Sequence, residues 1–399
     1  MIFLIIFFSL AFLFRTNISG IDIYIYQFMG ILFFIYFIIK CFKNKYVIKK
    51  GFIPIIFFSI IYVLFSVLSY LNLDYVNLGY SQYIKNFIEL IFKISLFISI
   101  LIYLDNEDKG QVYKKNIVTS IKILIFYGIV QILFFILNYD INEFIVNLFN
   151  LSVSGNTNNL GEFFRVSSLT WDSNYFGNYC IIYMFIILNK KNLNKSDKIF
   201  FVLAFNLILL TFSKTAYLGV AILVVYMILN RFNMLLRYKK IIFINILIII
   251  TTYIIFYDVL NPIIIDRFGF IIGISRSKSS EYRYNIINLG IDLVKDNFLL
   301  GMGIGNFSAY SLNVFGNDFV KFHNTFIQIA VEQGILSLIS YLMIIISVCF
   351  YSLKKKIINF KFCFYFLLCL FISNLTYDFL LSFYWFLIFI YFILEEKEI

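Results

Sequence analysis

Apolar residues fill most of the chain in long runs, interrupted by short polar intervals. A bilayer core takes about 20 consecutive apolar residues per helix, within a range of about 17–25. By that measure, spans fall near 1–14, 21–40, 52–72, 82–104, 117–138, 173–189, 198–213, 215–230, 240–257, 326–350, 357–374 and 378–394. The pattern predicts an all-α, polytopic membrane protein with about twelve transmembrane helices. The first span is short, and the seventh and eighth are parted only by Ser213-Lys214-Thr215. Pro54 and Pro262 are the only prolines, so most helices are expected to run unbroken. The first span lacks a basic leader and a small-residue cleavage site after Phe14, and it reads as a retained helix rather than a signal peptide.

The basic residues orient these spans. Lys40, Lys43, Lys45, Lys49 and Lys50 share one loop, and Lys109, Lys114 and Lys115 a second. Lys190, Lys191, Lys195 and Lys198 mark a third, Arg231, Arg237, Lys239 and Lys240 a fourth, and Lys354, Lys355, Lys356 and Lys361 a fifth. These alternate loops hold 20 of the 33 basic residues, so they and both termini are expected to be cytoplasmic. Arg15 falls on the other side. The two long loops left, 139–172 and 258–325, then face outward. In the second, Ile286, Ile287, Gly290, Ile291 and Val294 recur at helical spacing. They predict a short amphipathic helix near 283–298, lying on the outer membrane surface. The chain divides into N-terminal helices with the first outer loop (1–160), a core with the large outer loop (161–350) and a C-terminal helix pair with a cytoplasmic tail (351–399).

Composition narrows the class. The chain is 62% hydrophobic and 14% charged, against about 45–50% and about 25% in soluble domains. This excludes a soluble enzyme, a disordered chain and a secreted disulfide scaffold. The net charge of +11 fits loops facing anionic lipid better than a nucleic-acid partner. Four of the five cysteines sit in apolar runs, and no pair has metal-ligand spacing backed by histidine. Neither a metal nor another cofactor is expected.

The candidate chemistry collects on the outward side. His323, the only histidine in the chain, stands just before the tenth span beside Asn324. Arg276 and Arg283 share its loop, Lys214 sits at the tip between spans seven and eight, and Arg165, Asp172 and Asn174 precede span six. Cations at the mouth of a lipid-exposed cavity suit a lipid diphosphate, whose tail stays in the bilayer and whose head sits at the interface. Arginine offers a fork of donors to phosphate oxygens, and lysine a compact charge. A histidine with a pKa near 6.5 can accept a proton at neutral pH. Asp172 and Asn174 are equally readable as caps of span six. Gly301-Met302-Gly303-Ile304-Gly305-Asn306 is either a tight turn returning the chain to the membrane or a loop admitting a glycan or diphosphate. Lys85, Glu89 and Lys93 form one charged stripe in span four, either self-paired or a cavity wall. Lys122 reads as a snorkelling residue with no assigned role.

Several of these segments resemble the O-antigen ligase/polymerase family of bacterial membrane glycosyltransferases. The resemblance runs through the Arg165–Asn174 stretch, Thr211-Phe212-Ser213-Lys214-Thr215-Ala216, Arg283 with its helix, the Gly301–Phe307 turn, and His323-Asn324 followed by Glu332-Gln333-Gly334. It implies a GT-C-like fold in the bacterial cytoplasmic membrane and metal-independent transfer of glycan from undecaprenyl diphosphate to an acceptor hydroxyl on the outer side. Carried over, Lys214 and Arg283 would bind diphosphate, His323 would orient or deprotonate the acceptor, and Arg165 would add a substrate contact. Lys214 stands where the family usually has arginine. The implied partners are an undecaprenyl-diphosphate-linked oligosaccharide, a glycan acceptor and a chain-length regulator protein. Polymerisation of repeat units is the leading expectation and ligation of finished glycan the alternative. A lipid-glycan flippase would instead show internal repeats, broken helices and midplane polar groups.

Overall fold

The computed structural model describes residues 1–11, 15–18, 21–75, 79–137, 139–148, 165–170, 172–190, 193–230, 278–315, 322, 324–374 and 383–394, with isolated positions 247, 251 and 254. Between their connecting turns these residues form helices and one antiparallel hairpin, β1 (Arg15–Ile18) and β2 (Ile21–Tyr24), which pairs Arg15 with Tyr24. The first predicted span is therefore shorter than expected, with α1 over Ile2–Leu10 ending before the hairpin. Then come α2 (Ile25–Lys43), α3 (Ile53–Leu68), α4 (Gly79–Asn106), α5 (Gly110–Ile136), α6 (Ile141–Leu148) and α7 (Ser173–Asn189). They are followed by α8 (Lys195–Leu210), α9 (Lys214–Asn230), α10 (Lys278–Asp296), α11 (Phe307–Phe315), α12 (Thr325–Lys354), α13 (Phe360–Asn374) and α14 (Phe383–Ile393). The predicted span 240–257 lies almost wholly outside the described residues. Among the described residues, five helical segments are long and apolar enough to cross a membrane: Ile25–Lys43, Lys50–Asn72, Tyr83–Asn106, Gly110–Ile136 and Thr325–Lys354. Shorter apolar helices cover Lys214–Asn230 and Phe360–Asn374.

Burial sorts these helices by their surroundings. In α7 every residue from Phe176 to Leu188 is buried, as expected of an apolar helix enclosed by others. In α2, Phe28, Ile31, Ile35 and Phe42 are exposed, a face suited to lipid. The most extensive pairing joins α3 and α12, where Ser59, Ser66, Ser337 and Ser340 are buried. Small side chains let membrane helices approach closely.

The lysine-rich loops that are described meet at one end of the bundle. Lys49 pairs with Asp105 at 2.6 Å, and Asn106 exchanges hydrogen bonds with the Val47 backbone at 3.0 Å. The Tyr46 hydroxyl donates to Glu107 at 2.6 Å, and with Lys40 it holds that carboxyl below the usual range. The ring of Tyr351, near the end of α12, lies against Gly51 and Phe52. Asp197, its side chain 2% exposed, bridges Lys122 at 2.7 Å and Lys190 at 2.9 Å. Lys122 thus ties α5 to the α7–α8 connection and does more than snorkel. The fourth basic loop, 231–240, lies outside the described residues.

At the opposite end, a second small core joins α10, the glycine-rich turn, α11 and the start of α12. It comprises Ile286, Leu293, Met302, Phe307, Phe322 and Val331. The helix expected near 283–298 spans Lys278–Asp296; its inward face keeps Ile286, Gly290 and Val294 of the predicted set and departs from it at Ile291, which is exposed, while Leu293 is buried. The face turns towards α12, since a Cβ on Gly290 would meet Ile327 and Phe322. Gly334 interrupts α12 with φ +82° and ψ 171°. The turn docks into that kink: Met302 N–H donates to Val331 O and Ile335 N–H to Phe298 O, both at 2.9 Å. Gly301, Gly303 and Gly305 also have positive φ. Gly301 N–H donates to Asn297 O at 2.9 Å and Asn306 N–H to Gly303 O at 3.1 Å, the geometry of the tight-turn reading of the motif.

Two stability outcomes follow. Gly334→Ala adds a Cβ against the Leu299 carbonyl at a left-handed backbone position. It is expected to cost at least about 2 kcal/mol, read as a lowered thermal midpoint in detergent. Asp197→Ala leaves Lys122 and Lys190 without their shared carboxylate, and a loss of roughly 2 kcal/mol is expected in the same measurement.

Candidate functional site

The site is built where α7, α8 and α9 terminate, at the end away from the lysine-rich loops. A helix terminus leaves backbone groups without intrahelical partners, and each termination here is closed by a side chain. Asp172 is the N-cap of α7, accepting from Asn174 N–H at 2.6 Å. Asn174 Nδ2 donates to the same carboxylate oxygen at 3.0 Å. The capping reading of Asp172 is therefore what the geometry displays. At the end of α8, the Thr211 carbonyl accepts from Arg165 Nε at 2.9 Å, and Val166 N–H donates to Leu210 O at 3.1 Å. A cation at a helix C-terminus also complements the dipole. Arg165 Nη2 makes a long hydrogen bond, 3.5 Å, to Asn174 Oδ1. Arg165, Asp172 and Asn174 are thus one connected unit, half-buried.

The break between α8 and α9 joins that unit through Thr211. Phe212 turns the chain with φ +48°, a left-handed position uncommon for a non-glycine residue. Ser213 then caps α9: its Oγ accepts from Ala216 N–H at 3.3 Å and its carbonyl from Tyr217 N–H at 3.0 Å. Lys214 is the first residue of α9 and is half-buried. Its ammonium adds positive charge near the positive end of the helix dipole, where negative charge is favoured.

Asn324 caps α12, accepting from Phe326 and Ile327 N–H at 3.1 and 3.2 Å. Thr325 Oγ1 meets Asn374 Oδ1 at 3.0 Å, and Gln328 Oε1 accepts from Phe322 N–H at 3.1 Å. The Phe322 ring stacks on Phe307 at 3.7 Å. His323 and Arg276 lie outside the described residues, as does the side chain of Arg283, whose backbone belongs to α10. In span four, Glu89 and Lys93 pair at 2.7 Å, the self-paired reading of that stripe. Among the described residues, no three His, Cys, Asp or Glu side chains gather into a metal-ligand set.

The sequence reading missed the residues that hold the Arg165 loop. Gln131 Oε1 accepts from Ser167 and Ser168 N–H at 3.1 and 2.8 Å. Asn142 Nδ2 donates to Ser168 O at 3.3 Å, and Tyr127 donates to Asn142 Oδ1 at 2.8 Å. The available signal was a glutamine inside an apolar span. Asp172→Ala is expected to cost about 1 kcal/mol through loss of the cap, and Asp172→Ser to restore it in thermal unfolding. Turnover of the stable Asp172→Ser variant then reports any direct substrate contact.

No curated protein sequence matches the chain. Residues 199–342 match the family model described as O-antigen ligase. That stretch contains Lys214, Arg276, Arg283, the glycine-rich turn, His323 and Asn324, whereas Arg165, Asp172 and Asn174 precede it. The match supports the assignment of this membrane protein to the O-antigen ligase/polymerase family.

Proposed function

We propose that this protein polymerises undecaprenyl-diphosphate-linked oligosaccharide repeat units into surface polysaccharide, of O-antigen or capsule type, on the outer side of the cytoplasmic membrane. The family match supports a glycosyl-transferring enzyme acting on lipid-linked glycan. The observation that carries the reading is the joining of Arg165, Asn174 and the Thr211–Lys214 break into one cationic unit, away from the lysine-rich loops. In this proposal the lysine-rich end is cytoplasmic by the positive-inside rule. Twelve spans in a GT-C-like arrangement, with both termini inside, complete the topology.

The proposed reaction needs no metal. The acceptor hydroxyl attacks the anomeric carbon, the bond from that carbon to the diphosphate oxygen breaks, and prenyl diphosphate leaves with the bonding pair. The hydroxyl proton passes to His323. Lys214 and Arg283 stabilise charge developing on the leaving diphosphate, and Arg165 adds a substrate contact. Arg276, Asp172, Asn174 and Asn324 complete the proposed substrate-binding set. A chain-length regulator protein would be a further partner.

Ligation of finished glycan to lipid A-core or protein is the second reading, and the description of the matching family favours it. It uses the same chemistry with a different acceptor. Glycan analysis of a deletion strain separates the two. Lipid-linked single repeats accumulate if a polymerase is lost, and long chains on the undecaprenyl carrier if a ligase is lost.

Arg283→Ala and His323→Ala are each expected to abolish long glycan while the protein still inserts in the membrane. A normal chain-length distribution in both would contradict the site assignment. Lys214→Arg is expected to retain product and Lys214→Ala to lose it, both read on glycan gels.

A further inference from the structure

Gln131 lies in α5, 34 positions before Arg165 in the chain, yet its carboxamide is buried against the Arg165 loop. Its single oxygen accepts from two successive amides, Ser167 and Ser168, and its nitrogen donates to Ser167 Oγ at 3.3 Å. Ser168 adopts φ +54°, a left-handed conformation that a serine holds only when its surroundings impose it. Its hydroxyl donates to Leu124 O at 2.7 Å, so α5 holds the turn at one point more than the glutamine alone would. From this turn the chain runs back two residues to Arg165. The Arg165 guanidinium spans from the Thr211 carbonyl to Asn174. Displacing the turn would move the arginine and, through Thr211, the break that carries Lys214.

We propose that Gln131 is a positioning residue for the anion-binding group, holding Arg165 in the geometry that receives a prenyl diphosphate. The inference rests on the reading of Arg165 as a substrate contact. Gln131 touches no substrate; it acts by pinning the 165–170 loop. Leucine at position 131 keeps much of the volume and removes the acceptor, stranding two buried N–H groups. Glutamate keeps an acceptor oxygen at the same reach.

The test is a double-variant cycle in the full-length protein, with farnesyl diphosphate as the soluble probe and its Kd as the readout. Gln131→Leu and Arg165→Ala are each expected to weaken binding about tenfold. The double variant is expected to bind no more weakly than Arg165→Ala, because both changes remove the same contact. Gln131→Glu is expected to bind like the parent. Full affinity in Gln131→Leu, or a double variant showing the product of the two losses, overturns the inference. If Arg165→Ala itself binds like the parent, the substrate-contact reading falls and takes the inference with it. Should Gln131→Leu fail to fold, Asn142→Ala releases the same loop at the Ser168 carbonyl, and the same cycle with Arg165→Ala decides the matter.

Discussion

A helix that stops within or at the rim of a bilayer exposes backbone groups that hydrocarbon cannot hydrogen-bond. At the end away from the lysine-rich loops, four described helix ends are closed by a named side chain. Arg165 closes the end of α8 at Thr211, Ser213 the start of α9, Asp172 the start of α7 and Asn324 the start of α12. The kink at Gly334 is filled by the backbone of the glycine-rich turn. Polar and cationic groups are concentrated here because the chain must satisfy its own ends. A site for a charged headgroup can be assembled from the same residues at little added desolvation cost.

Arg165 illustrates the double use. One donor secures the Thr211 carbonyl, and a second reaches Asn174. A guanidinium carries its N–H donors in a planar fork, the geometry that phosphate oxygens accept. Anchoring also lowers the conformational entropy lost when an anion binds. Lys214 contributes charge at a helix N-terminus without the planar fork, so its geometry matters less than its sign.

Much of the helical layout was legible from hydropathy alone. The predicted span 173–189 coincides with α7, and the α8–α9 break falls at 211–213, two residues ahead of the predicted Ser213–Thr215 interval. The basic loops that are described meet at one end, as their alternation implied. Long-range polar pairing was not legible. Nothing near Gln131 in sequence announces that it accepts from Ser167 and Ser168, and nothing near Lys122 announces Asp197. Partners dozens of residues apart leave no periodic trace. The inward face of α10 was misjudged at Ile291 because helical spacing alone does not say which neighbour the helix meets. Here that neighbour is Ile327 and Phe322 of the second core. The hairpin after α1 was missed because Phe12, Leu13 and Phe14 extend the apolar run past the end of the helix.

Two ends of one bundle carry cations, and they differ in kind. At the lysine-rich end, Lys49, Lys122 and Lys190 are spent on Asp105 and Asp197. At the other end, cations accompany helix termini and a connected amide–guanidinium unit. The most direct measurement is a cryo-EM structure of the full-length protein with undecaprenyl diphosphate in nanodiscs. Diphosphate density beside Lys214 and Arg165 is the predicted result. Diphosphate density among Lys40, Lys122 and Lys190, with the Lys214–Arg165 region empty at saturating lipid, would contradict it.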